Sequence, residues 1–167
     1  MRARICWATA LVLTFAVSAV RAEDPSRDEA AAALARAVDF FRREVSAEGG
    51  SLWRYSSDLR QREGEGKAGP LTVWVQPPGT PSVGEAYLGA FELTGNEDYL
   101  EAARETALAL VRGQLASGGW DYRIEFDPAE RKKYRYRVEG ADWGRSVTTL
   151  DDHTTRPASR GVMEVAR

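Results

Sequence analysis

The chain has 167 residues, one cysteine, one histidine and a formal net charge of −2. So few cysteines and histidines exclude a disulfide framework and a zinc site built from several such ligands. The G-x-S-x-G motif of serine hydrolases and the glycine-rich phosphate loops of nucleotide-binding proteins are absent from the sequence. The acidic balance argues against general nucleic-acid binding, so no nucleic-acid partner is expected.

Residues 1–22 have the pattern of a secretory signal peptide. Arg2 and Arg4 precede an apolar run over residues 5–20, and the small residue Ala22 ends the segment. The run is too short to predict a membrane span, although a short membrane anchor is the alternative. Cleavage would give a secreted or periplasmic protein with no membrane association. It would leave one domain of 145 residues, 23–167, with no cysteine and a formal charge of −5.

Three helices are predicted in the first two thirds of the chain. The first covers residues 26–46, because Ser26 and Glu29 form a capping box and apolar residues follow at helical spacing. Gly49-Gly50 is expected to end it. The second covers residues 81–93 with Thr80 as its cap, and the third runs from the cap Asn96 to about residue 115. The short linker between these two predicts antiparallel neighbours.

The remaining segments are predicted to be loops and a small hairpin. Residues 61–81 have the composition of a long loop that contains one apolar island, Val73-Trp74-Val75. Residues 123–126 and 134–138 are predicted to be two strands joined by a turn. A last helix is expected after Asp152, but Pro157 would interrupt its interior.

A motif of a helix, two glycines, a tryptophan and a tyrosine occurs twice. The first copy is Gly49-Gly50 with Trp53 and Tyr55, and the second is Gly118-Gly119 with Trp120 and Tyr122. Repeated helical hairpins are typical of stacked or toroidal helix pairs. The sequence therefore predicts an all-α fold, an (α/α) toroid or barrel with a small β-hairpin, incomplete within these residues.

Aromatic and basic side chains in the second half of the chain form a candidate binding site. Trp120 is favoured as a packing residue between repeats, and a platform for sugar stacking is the alternative. Residues 131–137 contain five basic side chains, and on a strand Arg135 and Arg137 would share the face opposite the tyrosines. This stretch is either a solvated hairpin or a surface for a polyanion, which in a secreted protein would be an acidic polysaccharide.

Two adjacent carboxylates form a candidate metal site. Asp151-Asp152 lies between two Thr-Thr pairs and is interpreted either as a helix N-cap or as part of a site for a hard cation such as Ca²⁺. His153 is interpreted as a helix-start or solvent-facing residue, with proton transfer as the alternative.

The motifs together resemble pectate lyases of polysaccharide lyase family ten. The matching segments are Gly118-Gly119-Trp120, the run from Thr148 to Asp152, and the run from Trp74 to Pro81. The resemblance covers residues 27–155 and about half of the family's domain. It therefore implies that the chain alone is an inactive N-terminal portion, and the family's catalytic arginine cannot be placed on any residue here.

The resemblance implies an (α/α) toroid that acts on polygalacturonate by Ca²⁺-assisted β-elimination. Asp151 and Asp152 would be calcium ligands, and the implied partner is an acidic polysaccharide bound by a monomer. The predicted substrate-binding residues are Trp120, Tyr122, Arg123, Arg135 and Arg137. Two alternatives remain open: a non-catalytic helical-repeat protein that binds carbohydrate or serves a structural role, and a hydrolase that uses Asp121 or Asp151 as acid and base.

Overall fold

The computed structural model describes residues 24–150 and 154–165. The predicted signal peptide, the predicted calcium ligands Asp151 and Asp152, and His153 lie outside the described residues. In chain order, the helices and strands are α1 (Arg27–Phe40), β1 (Arg54–Tyr55), β2 (Arg62–Glu63), β3 (Thr72–Trp74), α2 (Thr80–Thr94), α3 (Glu97–Arg112), β4 (Arg123–Glu125), α4 (Pro128–Arg131) and α5 (Thr155–Val165). None of these helices is long and apolar enough to cross a bilayer.

Helix α1 begins where the sequence predicts. The Ser26 side chain accepts a hydrogen bond from the backbone N–H of Glu29, and the Glu29 carboxylate accepts one from the Ser26 N–H at 2.8 Å, so the capping box is confirmed. A π-helical turn, Phe41–Val45, continues the helix. The helix ends at Val45, one residue before the predicted end and ahead of Gly49-Gly50, so the predicted end of this helix is confirmed.

Helices α2 and α3 form the predicted hairpin, and one of the two predicted caps is confirmed. The Asn96 side chain accepts a hydrogen bond from the Asp98 N–H at 3.0 Å. Thr80, by contrast, is the first residue of α2 rather than its cap. Its buried hydroxyl accepts a hydrogen bond from the Ser51 N–H and donates one to the Ser51 carbonyl. It therefore ties α2 to the first Gly-Gly segment.

The apolar island pairs differently from the prediction. Strand β3 is antiparallel to β4, with Val73 opposite Ile124 and Trp74 opposite Arg123. Tyr134 and Tyr136 make isolated bridges to other segments, so the predicted hairpin of residues 123–126 with 134–138 is wrong. The physical reason is burial: strand β3 lies in the core, where its backbone needs a strand partner.

The described residues have a mixed fold of helices and two small antiparallel sheets, so the all-α toroid prediction is wrong. The larger hydrophobic cluster, called the main core below, combines the β3–β4 sheet with α3, the second Gly-Gly segment and Ala158 of α5. A second cluster lies among α1, α2 and α3. Residues 61–81 contain strands β2 and β3 and are not one long loop. The reason is that the apolar side chains of β3 are part of the core.

Helix α5 forms in spite of its proline. Pro157 is the third residue of the helix, where backbone N–H groups have no acceptor within the helix. The proline therefore removes no hydrogen bond, and the expected interruption is wrong. The next residue, Ala158, is fully buried against the main core.

Candidate functional site

A cleft of about 300 Å³ opens beside strand β4 and is called the β4 cleft below. It contains aromatic, cationic and anionic side chains together. Its lining residues are Glu65, Gly66, Trp74, Asp121, Tyr122, Arg123, Tyr134 and Arg145. They come from five separate stretches of the chain, and the β3–β4 pairing and the bridge between Tyr134 and Arg145 join four of them.

The register of the β3–β4 sheet places one cation at the cleft. Trp74 and Arg123 are cross-strand partners, and the Arg123 guanidinium lies 5.9 Å from the centre of the indole ring. Alternation along β4 sends Ile124 into the core and leaves Arg123 exposed. The strand therefore presents a cation to solvent above an aromatic ring.

A buried carboxylate orients the second cation of the cleft. Nε of Arg145 lies 2.6 Å from Oδ2 of Asp121, whose side chain is 7 % exposed, whereas the Arg145 side chain is 55 % exposed. The other oxygen of Asp121 accepts hydrogen bonds from the Tyr122 N–H and the Thr149 hydroxyl. Asp121 is thus fully engaged in holding the site, while the guanidinium of Arg145 stays accessible to a ligand.

The buried rings of Trp74 and Tyr134, called the aromatic floor below, are held in place by neighbouring rings and backbone. Trp53 packs edge-on against Trp74 with ring centres 5.9 Å apart, and Tyr136 stacks on Tyr134 at 5.5 Å. The turn at Gly64 lies so close to the Trp74 indole that a side chain there would overlap the ring. These contacts give the cleft a fixed, largely apolar base.

The predicted substrate-binding residues separate into three groups. Tyr122 and Arg123 line the β4 cleft. Trp120 is only 3 % exposed, and its Nε1 donates a hydrogen bond to the Leu110 carbonyl at 2.8 Å. Its burial suits the packing interpretation, because almost none of the ring is accessible to a sugar.

The other two predicted arginines are exposed and lie outside the lining of the cleft. Arg137 donates a hydrogen bond to the Gln114 side chain at 3.2 Å. The backbone N–H of Arg135 donates to the Arg145 carbonyl, so Arg135 lies on the backbone segment beside the cleft arginine. Tyr134 and Tyr136 are buried whereas Arg135 and Arg137 are exposed, so the predicted alternation of faces is confirmed even though the segment forms no regular strand.

Several residues that line the cleft are absent from the predicted site, and Trp74 and Arg145 are the two that matter most for its chemistry. The sequence predicts a loop at Trp74, although the island Val73-Trp74-Val75 is a signal for a core strand. Arg145 lies in an irregular segment without periodicity, where no local pattern distinguishes it from the other arginines of the chain.

Strand β4 also carries a buried carboxyl group, Glu125. Burial raises the pKa of Glu125, while the Thr72 hydroxyl, which donates a hydrogen bond at 2.7 Å, and the nearby Arg123 favour its charged form. Its side chain is 6 % exposed and 3.8 Å from Nε of Arg123. Glu125 therefore packs beneath the cleft arginine.

The predicted calcium ligands Asp151 and Asp152 are not among the described residues. Over residues 24–150 and 154–165, no group of three or more histidine, cysteine, aspartate or glutamate side chains is arranged to hold a metal ion. Asp121 is committed to Arg145, Tyr122 and Thr149, so the described donors do not fit a calcium ion by themselves. The calcium prediction stays with Asp151 and Asp152.

Comparison with models of protein families, with curated proteins and with solved structures finds no match for this chain.

Proposed function

We propose that the protein binds an acidic saccharide, a chain of uronate sugars, in the β4 cleft. The observation that carries the proposal is the placing of two accessible arginines, Arg123 and Arg145, in one cleft with the partly exposed ring of Tyr122. The rings of Trp74 and Tyr134 are buried and support the cleft from below. A guanidinium binds a carboxylate through paired hydrogen bonds, and an exposed aromatic ring packs against the apolar face of a sugar. A uronate offers both groups on one ring.

The accessible charges of the cleft are the guanidiniums of Arg123 and Arg145 and the carboxylate of Glu65, so we expect the ligand carboxylates to bind at the arginines, away from Glu65. Asp121 holds Arg145 in position, and Arg135 adds a cation on the neighbouring backbone segment. Exposed arginines of this kind attract a polyanion over about a Debye length, roughly 10 Å at 0.1 M salt. Binding should therefore weaken as the ionic strength rises.

Calorimetric titration with hexagalacturonate and with a neutral hexasaccharide tests the proposal. We expect heat of binding with the first ligand only. Arg145→Gln should weaken binding about tenfold, because it removes a charged partner of a carboxylate. Arg104→Gln, an exposed helical arginine paired with Glu101, is the charge-matched control and should bind like the unaltered protein. Equal binding of the two sugars, or no binding of either, would refute the proposal.

The family resemblance carries a second proposal, that full-length relatives of this chain cleave the same saccharide by β-elimination. In that reaction a base takes the proton α to the uronate carboxylate, a carbon–carbon double bond forms and the glycosidic oxygen leaves. Ca²⁺ would supply neutralisation of the carboxylate. The support is the match of the Thr148–Asp152 run, which begins next to the cleft where Thr149 contacts Asp121.

The ultraviolet absorbance of the unsaturated product, followed on polygalacturonate with and without Ca²⁺, tests this second proposal. No product is expected from this chain alone, because the resemblance covers only about half of the family's domain. A full-length relative should give a calcium-dependent increase, and its absence at saturating saccharide would refute this second proposal. The double variant Asp151→Ala with Asp152→Ala should lower calcium affinity in calorimetry. Unchanged affinity would favour the helix-cap interpretation of these residues.

A further inference from the structure

We infer that the β1–β2 hairpin carries a second anion subsite, and that the acidic chain crosses from the β4 cleft into it. This inference rests on the proposed binding function and extends it to a polymeric ligand. The hairpin encloses its own cleft of about 300 Å³, the hairpin cleft. It is lined by Arg60, Gln61, Arg62, Glu63, Lys67 and Ala68.

One tight turn separates the two clefts. Glu65 and Gly66 line the β4 cleft, while Glu63 and Lys67 line the hairpin cleft. Glu63 and Lys67 are antiparallel bridge partners, and the Gly64 N–H donates a hydrogen bond to the Gly66 carbonyl at 3.0 Å. The dividing wall between the two clefts is therefore this single backbone turn. A saccharide chain long enough to pass the turn, beside the exposed Glu65, can reach the second cleft.

The wall has a fixed position relative to the aromatic floor. Gly64 lies directly against the Trp74 indole, with no space for a side chain between them. Strands β1 and β2 anchor the rest of the hairpin through the pairs Arg54–Glu63 and Tyr55–Arg62. The two clefts therefore keep a constant separation, which a polymer with regularly spaced carboxylates can match.

The charges of the hairpin cleft suit a carboxylate. Its one acidic side chain, Glu63, is paired with Arg54 at 3.0 Å. Arg60 is 87 % exposed, and its ion pair with Asp58 is long, with Nε 3.8 Å from Oδ2. Lys67 has no ion-pair partner among the described residues. Three cations thus face a cleft in which the carboxylate is already neutralised, in a chain whose net charge is negative.

The test compares short and long oligogalacturonates on the intact protein. Digalacturonate occupies the β4 cleft alone, whereas hexagalacturonate is long enough to reach both clefts, so we expect the hexamer to bind at least tenfold more tightly. The double variant Arg60→Gln with Lys67→Gln should weaken hexamer binding about fivefold and leave dimer binding unchanged. Arg62 is left in place because its Nε donates to the Leu59 carbonyl and supports the hairpin.

The control variant is Arg36→Gln with Arg104→Gln, which removes the same charge from exposed positions on α1 and α3. It should bind both ligands like the unaltered protein. A hexamer that binds no better than the dimer, or equal losses in the two double variants, would overturn the second subsite while the β4 cleft stands. Absence of binding by either ligand would instead refute the proposed function itself.

Discussion

The two Gly-Gly segments have the same dipeptide sequence but form turns of different length. In the first, Ala47 and Gly50 exchange two backbone hydrogen bonds at 2.9 Å. The two residues between them, Glu48 and Gly49, have φ angles of 53° and 84°. This is a two-residue turn of the kind that joins tight hairpins.

The second turn holds three residues between its bonded partners. Leu115 donates a hydrogen bond to the Gly119 carbonyl at 2.8 Å and accepts one from the Gly118 N–H at 2.9 Å. Only Gly118 has a positive φ, 98°, among the residues of this turn. The residues on either side of the second turn, Leu115 and Trp120, belong to the main core, whereas the first turn contributes Ala47 alone.

The tryptophans that follow the turns therefore have different positions. Trp120 follows its second glycine at once and is buried in the main core. Trp53 comes three residues after its second glycine, is partly exposed, and donates a hydrogen bond to the Gln76 carbonyl at the edge of the aromatic floor. Both copies of the repeat therefore form a turn, but the strands that follow the turns pair differently. Strand β1 pairs with the adjacent strand β2, and β4 pairs with the distant strand β3.

Removal of the two indoles should give the largest difference between the copies. We expect Trp120→Ala to lower the free energy of unfolding by about 4 kcal/mol, because it leaves a cavity in the main core and removes the hydrogen bond from Nε1 to the Leu110 carbonyl. Trp53→Ala should cost about 2 kcal/mol, since its ring is partly solvated already. Guanidinium unfolding followed by far-ultraviolet circular dichroism measures both values. Equal losses would contradict the assignment of different positions.

The glycines with positive φ should rank next. Gly49→Ala combines a left-handed backbone with a clash against the Glu105 carbonyl, so we expect a loss of about 3 kcal/mol in unfolding free energy. Gly118→Ala has the same backbone problem but open space around the new methyl group, and should cost about 1 kcal/mol. The same unfolding experiment measures the pair, and a larger loss at Gly118 would show that the first turn is the more tolerant one.

Arg123 and Arg54, which follow the two turns on strands β4 and β1, give a matched pair for ligand binding. We expect Arg123→Gln to weaken digalacturonate binding about fivefold, since Arg123 lines the β4 cleft. Arg54→Gln removes an exposed cation that is paired with Glu63 outside that cleft, and should change dimer affinity less than twofold. Calorimetric titration of the two variants measures the difference, and similar losses would point to a general charge effect rather than a site.

Local signals predicted local structure well. The caps at Ser26 and Asn96 depend on side chains within three residues of the backbone groups that they satisfy, so a single sequence contains the whole interaction. The β3–β4 sheet joins segments about fifty residues apart, as in the pair Thr72–Glu125, and periodicity within either segment does not name its partner.

The candidate site was predicted in part for the same reason. Tyr122 and Arg123 were recognised because a distinctive turn precedes them, and they line the cleft. Arg145 was missed because its role depends on an ion pair with Asp121 that forms only after the chain has folded. The all-α prediction is wrong because it extends the helical repeat to the segments between the helices, where the buried strand β3 requires a partner in a sheet.

The smallest expected effect is a pH dependence that Glu125 gives to strand β4. Burial raises the pKa of Glu125 above its ordinary value of 4.5, so the folded protein keeps this proton to a higher pH than the unfolded chain does. The free energy of unfolding therefore contains a contribution that is fully present below pH 4.5 and is lost as the pH rises through the folded pKa.

Glu125→Gln removes this contribution while its amide oxygen still accepts the Thr72 hydrogen bond. We expect the stability of the variant relative to the unaltered protein to increase from pH 4 to pH 7, as measured by urea unfolding at both values. Glu92→Gln, an exposed position on α2, should follow the unaltered protein at both values. A difference for Glu125→Gln that stays constant or reverses with pH would show that Glu125 is solvated in the folded protein, and that β4 is no more buried than the hairpin after the first turn.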